Sequence, residues 1–411
     1  MALSPLPEPT MSKPPALRLA AAALAAVFLL AACGGGGGGG DDSGGSGGTG
    51  FLGPNLQAEP LRATEPLGPS SQFANICTTD SQKAFVRAYL DEVYLWYDEI
   101  PKVDPTAYTS VRDYFDALLV KDKDRFSAVI STGAADQAQG PPPAGTSSVP
   151  IARVDTVAGG RRVGYIRFDD HDQGAQDALI TAFRQLRDGG AQDLVLDLRL
   201  NSGGFLYIAQ AAASMLAGPG DAGKVFERLR YNDKRAAASA ANTFFFSTTV
   251  TVAETRYPRG TALPQLDLPR VYILTSGLTC SASESIINSL RGIDREVVLV
   301  GDTTCGKPYG FHRRDNCGLA YFPIEFAGTN DKGFGDYASG FAPTCQVADD
   351  ASAPAGSATD PLYNAALTHL TTGACPAGSP TAQASALPRL GGSARMAPQR
   401  PFTGRLLGSP S

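Results

Sequence analysis

The sequence predicts a layered α/β domain preceded by a small helical one. From Arg162 onward, short apolar runs alternate with amphipathic stretches, the pattern of strands and helices packed in layers. Before it, Phe85, Val86, Tyr89, Leu90, Val93, Tyr94 and Tyr97 recur at helical spacing. About 300 residues lie between a glycine-rich stretch and a tail rich in Pro, Gly, Ser and Ala, enough for one large or two smaller domains.

The first element is an export signal. Leu19 to Leu30 is an apolar run preceded by Lys13 and Arg18 and followed by Leu30-Ala31-Ala32-Cys33. The run is short for a membrane span and reads as a secretory signal over residues 1–32. Its final cysteine resembles a bacterial lipobox, which makes Cys33 the lipidated first residue of the mature chain. Gly34 follows it, not the aspartate that retains lipoproteins in the inner membrane. The expectation is an exported lipoprotein, anchored at Cys33 on the periplasmic side of the outer membrane or at the cell surface. Residues 33–72, led by the Gly/Ser/Asp run to Gly50, form its tether.

The next element is a helix over Ser81–Ile100, which Pro101 ends. A second helix follows over Val111–Val120, completing an N-terminal helical domain at 73–127 with Trp96 in its core. Residues 128–162 carry Pro141-Pro142-Pro143 and few large apolar side chains, so they read as a linker. The main domain spans 163–375. Strands are expected at Val163–Phe168, Leu194–Leu198, Val271–Thr275 and Val297–Val300, with helices at Ala175–Arg187, Ile208–Leu216 and Ala282–Leu290. Residues 376–411 read as a mobile tail.

Composition narrows the function. The net charge of −5, with no basic cluster, gives nucleic-acid binding no electrostatic support. Six cysteines follow Cys33 and none lies in a C-x-x-C pair, which argues against zinc. In an exported chain they point to as many as three disulfides. No motif implies a metal or an organic cofactor.

The chemistry-bearing motifs are three. Asp197-Leu198-Arg199-Leu200-Asn201-Ser202-Gly203-Gly204 is a strand end running into a diglycine turn, able to aim N–H groups at an oxyanion. Asp197 and Arg199 are expected to hold that turn through a local ion pair, and Asn201 suits its tight geometry. Ser281-Ala282-Ser283-Glu284 opens a helix, and Lys307 lies just past the next strand in Gly301-Asp302-Thr303-Thr304-Cys305-Gly306-Lys307. A desolvated lysine can serve as the base for a serine nucleophile. Ser281-x-x-Glu284 is also a capping box, and Ser283 is a rival nucleophile. Gly301 to Lys307 nearly matches a P-loop, but Pro308 stands where Ser or Thr must meet magnesium.

Together, these motifs resemble those of the C-terminal-processing (tail-specific) serine proteases: D-L-R-x-N-x-G-G, S-A-S-E and G-x-x-T-x-G-K, in that order. The resemblance covers about Phe73 to Cys375. It implies a crotonase/ClpP-like core of ββα units, Ser281 as nucleophile and Lys307 as general base. It further implies oxyanion donors from Gly203, Gly204 and Ala282, and polypeptide substrates. Asp294 matches an aspartate of other members and is a possible auxiliary, or else a turn residue. Phe311 replaces a glutamine that positions the lysine in some members. The segment between Ser127 and Val163 is too short for the family's usual PDZ domain. Cys280 and Cys305 stand where members commonly carry a small residue and an aromatic. If Ser281 and Lys307 meet, these two cysteines come close enough to form a disulfide or remain two buried thiols. The reading is a Ser-Lys endopeptidase acting through an acyl-enzyme. The alternative is a non-catalytic peptide-binding lipoprotein that keeps the protease fold.

Overall fold

The computed structural model describes residues 68–377 and the short strand Arg405–Leu406. The signal, Cys33, the tether up to 67 and most of the tail lie outside the described residues. Among the described residues no helix is long and apolar enough to cross a membrane.

The centre is a six-stranded sheet. Its order is Cys345–Gln346, Glu296–Gly301, Arg270–Thr275, Asp193–Asp197, Arg162–Arg167 and Ile151–Thr156. Its first five strands are parallel, and Ile151–Thr156 closes the edge antiparallel. Side chains alternate across it with period two. Ile166, Leu194, Leu196, Val271, Ile273, Val297 and Leu299 face a larger core, shared with the helices Ala175–Asp188, Leu206–Leu216 and Ala282–Gly292. Tyr165, Val195, Tyr272, Leu274, Val298 and Val300 face a smaller one under the helix Pro361–Thr372. A parallel sheet covered on both faces needs the near-continuous apolar strands this sequence supplies.

The Pro361–Thr372 helix is absent from the sequence reading, although its signals were present. Asp360 caps it through the N–H groups of Leu362 and Tyr363, Pro361 opens it, and Gly373 closes it at φ 72°. Cys375, just beyond, is bonded to Cys345 on the edge strand.

The N-terminal helix runs over Thr79–Val93, shorter than the periodicity predicts. Tertiary pairing ends it. Tyr94 turns extended and its hydroxyl donates to Asp124, while the Leu95 N–H donates to the Ile324 carbonyl. The second helix spans Val111–Ala117. Both pack their aromatic faces against Tyr321 in the hairpin Arg314–Asn316/Leu319–Phe322, and Cys77–Cys317 staples the same junction.

Residues 128–162 are more than the linker their composition predicts. Ala128–Ser131 pairs with Leu319–Phe322, Thr132–Gln139 is helical, and Ile151–Thr156 joins the central sheet. The apolar residues that do this, Val129, Ile130, Ile151 and Val154, are spaced around a genuinely Pro-rich stretch and so were diluted in the composition. A further sheet runs Arg405–Leu406, Tyr309–Phe311, Phe326–Thr329, Val225–Tyr231 and Thr243–Phe245.

Candidate active site

Three loops converge where parallel strands end, the usual place for a site in an open α/β sheet. The first is the Ser281 loop. Ser281 stands at the start of the Ala282–Gly292 helix with φ 57° and ψ −113°. A non-glycine residue there is strained by about 1–3 kcal/mol, and such strain gathers at functional sites. Only one half of the capping box forms: Glu284 Oε2 accepts the Ser281 N–H at 2.9 Å. The fully buried Ser281 Oγ makes no hydrogen bond. Ser283, by contrast, donates its hydroxyl to the Asn201 carbonyl at 3.1 Å.

The diglycine loop lies against it. A Cβ on Gly203 would sit 2.9 Å from the Ser281 Cβ and 3.0 Å from the Ala282 nitrogen, so only glycine fits there. A Cβ on Gly204 would sit 2.5 Å from the His171 carbonyl oxygen. Asn201 organises the turn: its Oδ1 accepts the Gly203 N–H at 3.0 Å and lies 2.9 Å from His171 Nδ1. Its amide nitrogen donates to the Phe168 carbonyl. The Gly203 N–H is thereby committed to Asn201. Arg199 anchors the strand end by pairing with Asp197, as its spacing predicts, and also with Asp349 and Asp360.

The third loop carries Lys307, which is fully buried. Its Nζ lies 4.6 Å from the Phe311 ring centroid and 4.9 Å from that of Phe126. Phe311, where a glutamine was the family expectation, thus forms one wall of the lysine pocket. Arg125 holds this loop by donating to the Cys305 carbonyl at 2.6 Å. Residues of the N-terminal helical region therefore reach the site, which no local motif announced.

Glu284 joins the first and third loops. Its carboxylate accepts from the N–H groups of Ser281, Gly306 and Lys307 and from the Thr304 hydroxyl, at 2.9, 2.9, 2.8 and 2.5 Å. Burial pushes its carboxyl above the usual range, and the donors offset part of that. The sequence placed Glu284 in the S-A-S-E motif and in a capping box, without a role in joining the two loops. Its partners Thr304, Gly306 and Lys307 all lie in the G-x-x-T-x-G-K motif, and that shared membership was the available signal.

Cys280 and Cys305 are disulfide-bonded, with Cα atoms 5.2 Å apart. Their sulfurs and the Glu284 carboxylate lie within 4.8 Å of one another, a metal-like grouping. In the disulfide neither sulfur is a thiolate, so the trio offers no metal-binding donor set. Asp294 is not part of the site. It lies past the far end of the Ala282–Gly292 helix, 81% exposed and paired with Lys332, which is the turn-residue reading.

His171 sits behind the diglycine turn, fully buried and with Nε2 unpaired. Desolvation pulls its pKa down to about 3. The unfolded chain therefore binds this proton at a higher pH than the native one does. Stability from this group is complete above about pH 6.5 and is lost as pH falls toward 3, by up to about 5 kcal/mol. His171→Phe should flatten the fall in melting temperature between pH 7 and pH 5. An unchanged slope in that variant would refute the assignment.

The Peptidase family S41 profile matches residues 162–315, which hold all three loops, and the Peptidase S41 N-terminal domain profile matches residues 81–128. Over those two stretches the chain is similar to peptidase family S41. The S41 match at 81–128 includes Arg125 and Phe126, the two residues that reach the lysine loop. A carboxyl-terminal-processing protease of Picosynechococcus is 30% identical over 148 residues, 36% of this chain and 30% of that one. The chain thus matches under a third of the length of this curated relative. The crystal structure of a Bacteroides fragilis chain described as an S41 protease superposes with a TM-score of 0.57 at 21% identity. It covers 70% of this chain and 97% of that one. The fold is accordingly the expected α/β class, shared with that structure, with an N-terminal helical region.

Proposed function

We propose that this chain is a serine endopeptidase acting on exported polypeptides through a Ser281–Lys307 dyad. The observation that carries the proposal is the Glu284 carboxylate. It holds the backbone of Ser281 and that of Lys307 on one pair of oxygens, while the Ser281 hydroxyl beside the diglycine turn is left uncommitted. The match of residues 162–315 to a peptidase family supports the same reading.

In this mechanism Lys307 Nζ takes the Ser281 hydroxyl proton as Oγ attacks the peptide carbonyl. Desolvation by Phe126 and Phe311 is the environment a lysine base requires. The N–H groups of Gly204 and Ala282 receive the developing oxyanion, in positions fixed before substrate arrives. Lys307 returns the proton to the leaving amine, and the acyl group stays on Ser281. A water deprotonated by Lys307 then releases it.

The test is direct. The oxidised protein should cleave denatured casein, and a fluorophosphonate should label it on Ser281. A protein that binds unfolded peptides but neither cleaves nor labels would instead be the non-catalytic binder.

We also propose export with a lipid anchor at Cys33. The three disulfides are at home in an oxidising compartment, in agreement with the leader read from the sequence. Expressed in a Gram-negative host, the protein should fractionate with membranes and Cys33→Ser should not. Equal partition of the two would reject the anchor.

A further inference from the structure

We propose that the Cys280–Cys305 disulfide is a redox gate on the active site. Intact, it locks the nucleophile loop to the base loop; reduced, it frees them and switches the peptidase off. The gate rests on the peptidase reading above.

Position is the first argument. The bond joins the residue before Ser281 to the residue two before Lys307. It shares the task of holding these loops with the Glu284 carboxylate and with the Cys305 N–H bond to the Thr279 carbonyl. The other disulfides, Cys77–Cys317 and Cys345–Cys375, staple the N-terminal junction and the C-terminal helix.

Chemistry is the second. Cys305 Sγ lies 3.5 Å from Glu284 Oε2, the oxygen that accepts both the Ser281 and the Lys307 N–H. A disulfide sulfur has no proton to donate. Reduction by an external dithiol breaks the S–S bond, passes two electrons and two protons to the cysteines, and oxidises the dithiol to its own disulfide. The carboxylate beside it keeps Cys305 as the thiol, because a thiolate there would be a second negative charge. The new S–H then competes with two amides for the oxygen that aligns nucleophile and base.

Packing is the third. Unbonded sulfurs must separate to van der Waals contact, well beyond their bonded distance. Cys280 is only 3% exposed, within the turn held by Asn201. The movement therefore falls on the Thr304–Lys307 side, which carries the base. Cys305 is partly exposed and gives a small reductant its entry. The chain would thus stay inactive in a reducing compartment and become competent on oxidation.

The experiment compares the wild type with C77S/C317S/C345S/C375S, which keeps only this disulfide. Each is titrated with dithiothreitol in the presence of EDTA, since freed thiols beside Glu284 would bind stray metal. Alkylation and mass spectrometry report the state of each cysteine pair, so the wild type alone suffices if the variant fails to fold. As Cys280–Cys305 is reduced, kcat on casein should fall at least about tenfold and return on reoxidation. Amide exchange over 279–284 and 303–308 should quicken by a similar factor, while the Pro361–Thr372 helix stays protected. Unchanged exchange and turnover with the pair fully reduced would overturn the gate. An oxidised protein that never cleaves would instead overturn the peptidase reading, and exchange alone would still decide whether the loops are released.

Discussion

Ser281→Ala should lower kcat/KM on an unfolded polypeptide by at least about a thousandfold and abolish fluorophosphonate labelling, because the rival hydroxyl is already engaged. Ser283 is committed to the Asn201 carbonyl. The melting temperature should barely move, since Ser281 Oγ has no hydrogen bond to lose. Lys307 needs a gentler change. Its side chain fills the space between Phe126 and Phe311, so alanine would add a cavity to the loss of the amine. Lys307→Met keeps the stem and removes the base. It should lose activity to a similar extent at nearly unchanged stability. Cleavage at the wild-type rate by either variant would sink the dyad.

Glu284→Gln should separate alignment from folding. The side chain keeps one carbonyl oxygen for Thr304 and Gly306 but turns an NH2 toward the amides of Ser281 and Lys307, where two donors meet a donor. The loops must move apart, and a displacement on the order of 1 Å at reacting groups costs about a hundredfold in rate. The loss should appear in kcat and in the fluorophosphonate labelling rate, with KM little changed. Glu284→Ala goes further. It leaves three amides and a hydroxyl buried without an acceptor, each at about 1–3 kcal/mol and coupled to the others. That variant should unfold at a clearly lower temperature. A Glu284→Gln protein with unaltered kcat would show that the carboxylate only caps a helix.

The alternation of apolar and amphipathic segments determined the α/β class and most of the central sheet, because strands such as Val271–Thr275 and Val297–Val300 are buried on both faces and read as unbroken apolar runs. Ser281, Lys307 and the diglycine turn were legible for a different reason. The chemistry proposed for them requires particular residue types within short motifs, and the motifs carry those types wherever the chain goes. Long-range contacts decided the rest. The first helix stops at Val93 because Leu95 pairs with Ile324. Residues 128–131 become a strand because Leu319–Phe322 is there to pair with them. Phe126 and Arg125 reach the lysine loop from an element far away in sequence. Asp294, close to the motifs in sequence, is carried away from them by the intervening helix. A capping box and a carboxylate clamp are written with the same two residues, Ser281 and Glu284. What distinguished them was the arrival of Thr304, Gly306 and Lys307 around one carboxylate. Local sequence specifies which groups are available to bond, but the choice of partner for a buried polar group is settled only when folding removes water and leaves the nearest unpaired donor as its partner.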